Sequence, residues 1–377
     1  MKIAFLCGCL EPGRDGVGDY TRKLAGQLLP LGHSAVLVAL NDPSVTEATE
    51  QAQPAEAGAT PLPALRLPAA WPLAQRLAHA KTWLDAANPD VLSLQFVLFS
   101  FHPKGLPFGL APLLAKLGQG RSWHLMFHEL WVGMATNDTL KHKVWGRVQK
   151  ELVKGLIAQL KPKLIHTQCS LYFAQLTKAG QQVAKLPLFS NIGRVAVAPG
   201  GSYLYQNELG TVRPTRFIFF GGLHPEAKLV ELIEALKGFY HHDLNAFEFI
   251  YAGRNGQELD HHLPILKERN VKHQVFGELS PSEISALLAG ADFGVSTGSP
   301  EMLEKNGTVA AMLLHDLPVL CIGRRLLLKN LPPVPMMPGT YRLAELPQLL
   351  AERPTVAFAH TLPAVARIFE RDLLSLR

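Results

Sequence analysis

Short apolar runs alternate with segments of helical periodicity from one end of the chain to the other. Continuous apolar runs of this length, with helical segments between them, are typical of parallel strands covered on both faces. The pattern predicts a doubly wound parallel α/β sheet, made twice. The predicted strands are residues 2–7, 34–40, 90–96, 124–130 and 163–168 in the first half, and 216–222, 247–253, 272–278, 292–298 and 318–323 in the second.

The two predicted halves meet in a segment without a sustained apolar period. Residues 198–215 contain paired glycines, prolines and polar side chains, as linkers do. We therefore predict an N-terminal domain at 1–200, a linker at 201–214 and a C-terminal domain at 215–354. Apolar positions at helical spacing predict a closing helix within 355–377, which could cross back to the N-terminal domain. The segment 41–70, rich in Ala, Pro and Glu, is predicted to be a surface excursion.

Length and composition are those of a soluble two-domain protein. The chain has 377 residues, of which 47% are hydrophobic and 18% charged. The first strand is too short to cross a membrane, and the four cysteines are irregularly spaced, so we expect a cytoplasmic protein. The formal net charge of +6 suits a nucleoside diphosphate, an anionic membrane face or a nucleic acid. Nucleic-acid-binding motifs are absent from the sequence, so we expect no nucleic acid partner.

A glycine-rich loop follows the first predicted strand. Gly16 and Gly18 lie in it, just before a helix predicted at about residues 20–28. Glycines let the backbone approach a ligand, and free amides at a helix N-terminus favour an anion. The spacing is not the dinucleotide fingerprint, although Asp42 at the end of the second strand leaves a nicotinamide site as an alternative. In the structural alternative the loop is a tight turn and Asp19 caps the helix.

His128 and Glu129 end the fourth predicted strand. Ligands of parallel sheets bind at the carboxyl ends of the strands, where an imidazole can donate to a ligand hydroxyl or stabilise developing charge. The alternative is a core histidine bonded to a backbone carbonyl. His124 lies deeper on the same face and is predicted to be structural. Metal-binding spacings such as H-E-x-x-H or D-x-D are absent, so we predict no metal.

Three predicted loops of the second half present basic or amide groups. Lys228 follows the first strand of that half as a point charge, and Arg254 follows the second as a bidentate donor. A third loop opens a helix with free amides and contains Lys305, Asn306, Gly307 and Thr308. If these loops converge on one cleft they suit a pyrophosphate, although each alone could be a helix cap or a surface charge.

Three segments carry a resemblance that spans nearly the whole chain. They are GVGDYTRKLAGQLLPLGHSAVLV, FHELW, and GELSPSEISALLAGADFGVST with the later Pro318 and Val319. They resemble the retaining GT-B glycosyltransferases of the group 1, family 4-like kind. The resemblance implies two Rossmann-like domains facing a central cleft, with the donor bound mainly by the C-terminal domain and the acceptor mainly by the N-terminal one. It implies transfer of a hexose from a nucleoside diphosphate sugar to a hydroxyl, without metal or other cofactor and with retention of configuration.

A working hypothesis built on the resemblance and on the loops described above assigns roles to residues. Glu304, with Glu301 as a competitor, would position the sugar, and His128 would contact it near the anomeric carbon. The implied acceptor side includes Asp19 and Glu129. The implied donor-binding residues are Gly16, Gly18, Lys228, Arg254, Lys305, Asn306, Gly307 and Thr308.

Two positions depart from the family pattern. Gly222 and Leu223 stand where the family has an arginine, and Ala311 and Met312 stand where it has its second, ribose-binding glutamate. These departures leave open a non-catalytic GT-B-like binding or assembly module. A GT-B nucleotide-sugar epimerase, which needs no acceptor, is the other alternative.

The acceptor is left open between a polysaccharide, a lipid-linked molecule and a small molecule. Within residues 141–163, Lys143, Arg147, Lys150 and Lys154 form a basic stripe beside apolar positions. Such a helix could rest on an anionic membrane, as a peripheral contact, and admit a lipid-linked acceptor. The alternative is a solvated outer helix over the sheet.

Overall fold

The computed structural model describes residues 1–55, 58–195, 213–328, 331 and 333–375. The chain divides into two compact units. The N-terminal unit contains Met1–Pro187, Leu327–Pro333 and Leu362–Arg377, and the C-terminal unit contains Leu188–Leu326 and Val334–Thr361. The predicted boundary at residue 200 thus lies later in the chain than the division between the units. The predicted linker, 201–214, lies outside the described residues except for its last two.

The N-terminal unit is a parallel sheet with its helices. Its strands are β1 (Lys2–Cys7), β2 (Ser34–Asp42), β3 (Thr49–Glu50), β4 (Gln53–Pro54), β5 (Pro61–Leu62), β6 (Ala64–Pro68), β7 (Val91–Phe96), β8 (Ser122–Phe127), β9 (Leu164–Thr167) and β10 (Ala184–Lys185). Its helices are α1 (Gly16–Leu28), α2 (Leu73–Ala87), α3 (Leu110–Leu117), α4 (Leu140–Leu160), α5 (Ser170–Lys178) and, much later in the chain, α11 (Leu362–Leu374).

The C-terminal unit repeats this construction. Its strands are β11 (Thr215–Phe220), β12 (Phe247–Ala252), β13 (His273–Gly277), β14 (Phe293–Ser296), β15 (Val319–Cys321) and β16 (Thr340–Arg342). Its helices are α6 (Leu229–Phe239), α7 (Glu258–Glu268), α8 (Pro281–Gly290), α9 (Gly307–Leu314) and α10 (Leu346–Glu352). All ten predicted strands are present, each within a few residues of its predicted bounds.

Both main sheets are doubly wound. The first has the strand order β10-β9-β8-β7-β1-β2-β6-β3, and only the pairing of β3 with β6 is antiparallel. The second has the order β13-β12-β11-β14-β15-β16 and is entirely parallel. The direction of winding reverses between β1 and β7 in the first sheet and between β11 and β14 in the second. The predicted doubly wound class is therefore confirmed for both units.

The prediction for residues 41–70 was wrong in its second half. Strand β6 pairs in parallel with β2 inside the main sheet, and four of its five residues are buried. The alternating run ALRLP was hidden by the proline-rich segment before it, since proline argues against a central strand. Here Pro63 contributes its carbonyl, which accepts from Leu37 N–H at 2.9 Å.

Helix α11 packs into the N-terminal unit. Its Phe369 is completely buried, with its ring centroid 5.8 Å from that of Phe5 on β1. Glu370, on the same helix, pairs with His33 at 2.9 Å. One face of the N-terminal sheet is therefore partly covered by residues that lie at the other end of the sequence.

Candidate functional site

The reversal of winding in the C-terminal sheet brings two loops together. The loop after β11 and the loop after β14 meet where His224 N–H donates to Thr297 Oγ1 at 2.9 Å. A Cβ atom on Gly298 would lie 3.7 Å from the His224 ring, so the two loops are in contact there. In open parallel sheets, ligands bind in the crevice at this point, outside the carboxyl ends of the strands.

Gly221 shapes the same crevice. Its φ is +82°, a conformation that glycine adopts without strain, and a Cβ atom there would lie 2.5 Å from Thr308 Cγ2. The loop after β12 supports it, because the buried Asn255 side-chain amide donates to the Gly221 carbonyl at 2.8 Å. The first turn of α9 and the loops after β11 and β12 thus converge. Neither Asn255 nor His224 was singled out from the sequence, because both act through loop contacts that have no periodic signal.

The N-terminus of α9 is capped by its own chain. The Asn306 side-chain oxygen accepts from Thr308 N–H at 3.0 Å and Val309 N–H at 3.4 Å, and from the Thr308 hydroxyl at 2.8 Å. Gly307, at the same end, is exposed, with open space where a side chain would be. The Asn306 side chain therefore organises the helix end, and Gly307 is the residue whose backbone faces outward there.

Glu301 and Glu304 differ in their surroundings. Glu301 is buried, and its carboxylate accepts from the Ser299 hydroxyl at 2.6 Å and from Leu326 N–H at 2.9 Å. Burial raises the pKa of Glu301, but these hydrogen bonds and the Arg325 guanidinium outweigh it, so the pKa is lowered overall. Glu301 is thus used within the fold, whereas Glu304 is only half-buried in the 3-10 turn Pro300–Lys305. Lys305 is half-buried in the same turn.

Lys228 and Arg254 lie in different settings. Lys228 is exposed directly before α6, and its N–H donates to the Ile322 carbonyl at 2.9 Å, next to the end of β15. Arg254 is 48% exposed and pairs with Glu278 at 3.0 Å. Glu278 follows β13, which lies on the other side of β12 from β11. The loop that carries Lys228 therefore passes over the point where the winding reverses. Glu278, which forms an ion pair with Arg254, lies on the side of β12 that faces away from this point.

Both residues at the family's second-glutamate position are core residues. Ala311 and Met312 are completely buried among the apolar side chains between α8, α9 and the sheet. A Cβ atom on Gly294 of β14 would lie 2.3 Å from Met312 Sδ, so the methionine fills the space over that glycine. No carboxylate could be introduced there without burying a charge.

In the N-terminal unit, α1 begins earlier than predicted and has a different cap. The Asp15 carboxylate accepts from Val17 N–H at 2.8 Å and Gly18 N–H at 3.2 Å. Asp19 lies inside the helix, pairs with Arg22 and accepts from Gly13 N–H at 3.1 Å. The structural alternative in which Asp19 caps the helix was therefore wrong: Asp15 has the extended backbone that a cap requires.

The two candidate glycines are both in the first turn of α1. A Cβ atom on Gly18 would lie 2.4 Å from the Cys9 carbonyl oxygen, whereas nothing lies within 4 Å of one on Gly16. Gly18 thus allows the helix to approach the loop after β1. Because Asp15 already occupies two amides of this turn, the turn offers an anion less than a free helix end would.

The alternative nicotinamide site loses its acidic residue. Asp42 is completely buried and accepts from Arg66 Nε at 2.7 Å, Leu10 N–H at 3.2 Å and Ser44 N–H at 3.0 Å. Burial raises its pKa, but the bonds from Arg66 and the two amides lower it further, so the carboxylate stays charged. These partners argue against a ribose-binding role for Asp42.

His128 follows β8 and is only 6% exposed. Its Nε2 lies 2.9 Å from Gln95 Oε1, its Nδ1 lies 3.2 Å from Gln168 Nε2, and its ring packs edge-on against Tyr20. Both of these ring partners are side-chain amides, whereas the structural alternative named a backbone carbonyl. Glu129, the next residue, is half-buried. Neither glutamine was predicted, although Gln95, His128 and Gln168 all stand at or just after the ends of adjacent strands.

The exposed face of α4 is apolar as well as basic. Leu140, Val144 and Val148, spaced by four residues, are 77%, 51% and 40% exposed. Three of the four predicted basic residues have local partners: Lys143 donates to the Thr136 carbonyl, Lys150 lies over the Trp131 ring, and Lys154 pairs with Glu151. Within the described parts of the chain, no helix is both long and apolar enough to cross a bilayer.

The described residues contain no group of three or more His, Cys, Asp or Glu arranged to hold a metal ion. Neither a search of protein-family models nor a search of curated proteins finds a match to this sequence. Solved structures do resemble it along its whole length.

Sucrose-phosphate synthase from Thermosynechococcus elongatus is 16% identical, with a TM-score of 0.59 over 99% of this chain and 95% of that one. HepE from Anabaena, in complex with UDP, is 14% identical, with a TM-score of 0.59 over 100% and 97%. UDP-GlcNAc 2-epimerase from Methanocaldococcus jannaschii is 10% identical, with a TM-score of 0.51 over 100% of both chains. At such low identity the likeness concerns the fold. With the two doubly wound sheets, it confirms that the chain has the predicted GT-B fold of two Rossmann-like domains.

Proposed function

We propose that this protein is a glycosyltransferase that moves a hexose from a nucleoside diphosphate sugar to a hydroxyl acceptor, with retention of configuration and without a metal. The observation that supports it most is the crevice at the reversal point of the C-terminal sheet. There Gly221, Thr308 and the loop that leads to Lys228 come together beside the exposed Gly307. Glycines that expose their backbone, a helix N-terminus and a lysine are the groups that recur in diphosphate sites.

Each residue has a defined role in this proposal. Lys228 and the backbone at Gly307 stabilise the charge that develops on the leaving diphosphate, which is where fixed positive charge lowers the barrier. Glu304 positions the sugar, and His128 contacts it near the reacting carbon. Arg254 could contact the donor diphosphate only after its ion pair with Glu278 breaks. We therefore assign it a smaller contribution to donor binding.

The first test is a thermal-shift series with UDP, GDP, ADP, dTDP and their sugars, without added metal. UDP leads the series because HepE, one of the similar structures, is in complex with it. A ligand at 100 times its dissociation constant adds about 2.7 kcal/mol of stability. Lys228→Ala should abolish the shift. Lys272→Ala is the matched control, because Lys272 is exposed just before β13, at the opposite end of the strands. No shift with any nucleotide in the wild type would overturn the proposal.

Two observations support other functions and set the product assay. The likeness to a nucleotide-sugar 2-epimerase supports epimerisation, in which the sugar changes configuration without an acceptor. The burial of Ala311 and Met312 supports a module that binds without catalysis. Incubation with the donor selected by the thermal shift separates the three. Transfer or slow hydrolysis indicates a transferase, a new sugar on the same nucleotide indicates an epimerase, and an unchanged donor indicates a binding module.

We further propose that the acceptor is reached at an anionic membrane, on which α4 rests. The apolar residues Leu140, Val144 and Val148 project from its exposed face, beside the exposed Arg147. Phe99 and Phe108, 39% and 65% exposed, precede α3 in the same unit. An apolar face with flanking cations is the composition of helices that lie in the plane of a membrane interface.

Co-sedimentation with vesicles tests this part separately. Wild-type protein should sediment with vesicles that contain phosphatidylserine or phosphatidylglycerol, and Val144→Asp combined with Val148→Asp should stay in the supernatant. Val275→Asp, at an exposed valine of the C-terminal unit, is the control and should sediment as the wild type does. If the double variant still sediments, α4 is not the contact, and if the wild type does not sediment at low salt, no membrane contact exists.

A further inference from the structure

A series of hydrogen bonds beneath the helices of the N-terminal sheet connects His128 with Asp372. Its members on β7, β8 and β9 share one face of the sheet, since Ser93 is paired with His124 and Met126 with His166 in the parallel register. None of the members within these strands is more than 1% exposed. Buried polar side chains in a parallel sheet are unusual, because such strands are normally apolar on both faces.

The first part of the series runs from the strand ends into the sheet. Gln168 Nε2 lies 3.2 Å from His128 Nδ1, and His128 Nε2 lies 2.9 Å from Gln95 Oε1. The amide nitrogen of Gln95 donates to Ser93 Oγ at 2.8 Å. His128 is therefore joined by its neighbour on β7 to a hydroxyl that lies deeper in the sheet.

The second part leads from this hydroxyl to α11. Ser93 Oγ lies 2.8 Å from His124 Nδ1, and His124 Nε2 lies 3.1 Å from His166 Nδ1. His166 Nε2 lies 3.1 Å from Asp372 Oδ2. Asp372 is the last member, and its side chain is 16% exposed.

The direction of every bond follows from the last member. Serine, glutamine and neutral histidine can each donate on one side and accept on the other, whereas an ionised carboxylate can only accept. With Asp372 as acceptor, His166 donates from Nε2. A ring with that single proton then accepts at Nδ1 from His124 Nε2–H. His124 Nδ1 then accepts from the Ser93 hydroxyl, which accepts from Gln95. Gln95 Oε1 consequently accepts from His128 Nε2–H.

We propose that Asp372 is a positioning residue that fixes the tautomer of His128, through His166, His124, Ser93 and Gln95, with the proton on Nε2 and a lone pair on Nδ1. The partner of one ring nitrogen sets the protonation of the other. That His128 meets the sugar rests on the proposed function, but its tautomer does not. With Nε2–H given to Gln95, the ring can only accept at Nδ1, so a sugar hydroxyl that takes the place of Gln168 must donate to it.

Two features support a fixed direction of hydrogen bonding. The pKa of His124 is well below its usual range, because burial disfavours the cation, with His166 and His128 adding to the effect. The pKa of Asp372 is lowered by the hydrogen bond from His166, against a smaller opposing effect of burial and with help from Arg371. A neutral His124 and an ionised Asp372 are what a single direction of bonding requires.

Helix α11 carries a second carboxylate that serves as a matched control for Asp372. Glu370, two residues before Asp372, pairs with the half-buried His33 at 2.9 Å. It is not bonded to His166 or to any other member of the hydrogen-bonded series that leads to His128. Replacing either carboxylate removes a histidine–carboxylate pair between α11 and the rest of the unit. Only Asp372 should influence His128.

The test is imidazole ¹⁵N NMR of the full chain labelled at histidine, with His128 assigned by His128→Gln. In the wild type we expect one His128 tautomer, with Nε2 protonated and Nδ1 bare. In Asp372→Leu, which removes the only obligate acceptor, the Nδ1 and Nε2 resonances should exchange character or move to a population average. In Glu370→Leu they should stay as in the wild type. A wild-type His128 protonated on Nδ1, or one unchanged in Asp372→Leu, would overturn the proposal.

Ser93→Ala keeps the test decisive if Asp372→Leu does not fold. It removes the hydroxyl in the middle of the series, so Gln95 loses its acceptor and the His128 signals should again average. Ser285→Ala, which removes the hydroxyl bonded to the buried His315 at 2.8 Å in the other unit, should leave them unchanged. Unchanged His128 signals in Ser93→Ala would equally overturn the proposal. The His128 tautomer can be measured even if no nucleotide sugar binds. A failure of this inference can therefore be distinguished from a failure of the proposed function.

Discussion

The two main sheets wind in the same way but bury different kinds of side chain in one corresponding layer. Beneath the helices of the C-terminal sheet lie aromatic rings: Phe219 and Tyr251 stack at 4.6 Å, and Phe217 and Phe293 at 5.3 Å. In the corresponding layer of the N-terminal sheet lie Ser93, Gln95 and the histidines that connect them to α11. One strand order thus accommodates both an apolar core and a polar network.

The difference shows how the two units divide their tasks. Aromatic packing adds stability in proportion to buried area and has no preferred direction of bonding. A buried polar network loses hydration and regains it only if every partner is present, but it then fixes orientation and protonation. In the C-terminal unit the polar groups of the candidate site lie in loops above this aromatic layer. In the N-terminal unit they extend into the sheet itself.

Phe249→Ala should have the largest effect, because it tests the aromatic sheet directly. Phe249 is completely buried, with its ring 5.4 Å from that of Phe219 and 6.0 Å from that of Phe217. Loss of the ring should lower the free energy of unfolding by about 3–5 kcal/mol in denaturant titrations. Val275→Ala, at an exposed position on the neighbouring strand, should change it by less than about 0.5 kcal/mol. Equal effects of the two changes would contradict the packing described here.

Gly18→Ala tests how closely α1 approaches the N-terminal sheet. The added methyl would meet the Cys9 carbonyl at 2.4 Å, so the helix or the loop must move, at a cost of about 1–3 kcal/mol. Gly16→Ala, two residues earlier in the same turn, meets nothing and should be neutral or slightly stabilising. Thermal unfolding of the two variants side by side makes the measurement. A destabilised Gly16→Ala beside an unaffected Gly18→Ala would reverse the assignment.

The polar sheet should also make the protein sensitive to acid through His124. The folded pKa of this group is depressed by burial, so its contribution to stability is complete above the unfolded pKa of about 6.5 and is lost as pH falls below it. One proton taken up on unfolding corresponds to a slope of about 1.4 kcal/mol per pH unit. His124→Gln should therefore flatten the fall in unfolding free energy between about pH 6 and 5.

The exposed His261, replaced by Gln, is the control for this slope and should leave it as in the wild type. Buried His262 and His315 have lowered pKa values for the same first reason, burial, so part of the acid sensitivity should remain in His124→Gln. An identical slope in the His124 variant and the wild type would mean that the histidine is protonated in the folded state.

Much of the fold could be read from the sequence because its signal is local. Apolar runs such as KIAFLC and FEFIYA predict buried parallel strands even when the neighbouring strand in the sheet is unknown. The start of α1 could not, because glycines at 16 and 18 argue against a helix, and the cap that compensates for them, Asp15, is one of two nearby aspartates. Strand β6 was missed for the related reason that prolines surround it.

The candidate site was predicted in part, for a different physical reason. Position after a strand led to the prediction of Lys228, Gly307 and His128, since the carboxyl ends of parallel strands are a fixed place in this topology. Partners across the sheet were not identified, because they depend on register and on contacts between distant segments. His166 and Asp372 are 206 residues apart, and the sequence around one gives no indication that it contacts the other.

The return of α11 to the first unit has a consequence for biosynthesis. Domains emerge from the ribosome in order and often fold as they appear. Residues 188–361, which include the C-terminal unit, are all translated before Phe369 can pack against Phe5 and before Asp372 can reach His166. The unit whose sequence begins first is therefore the one that matures last, and a nascent chain paused before residue 362 holds a Rossmann sheet with part of one face still open to chaperones.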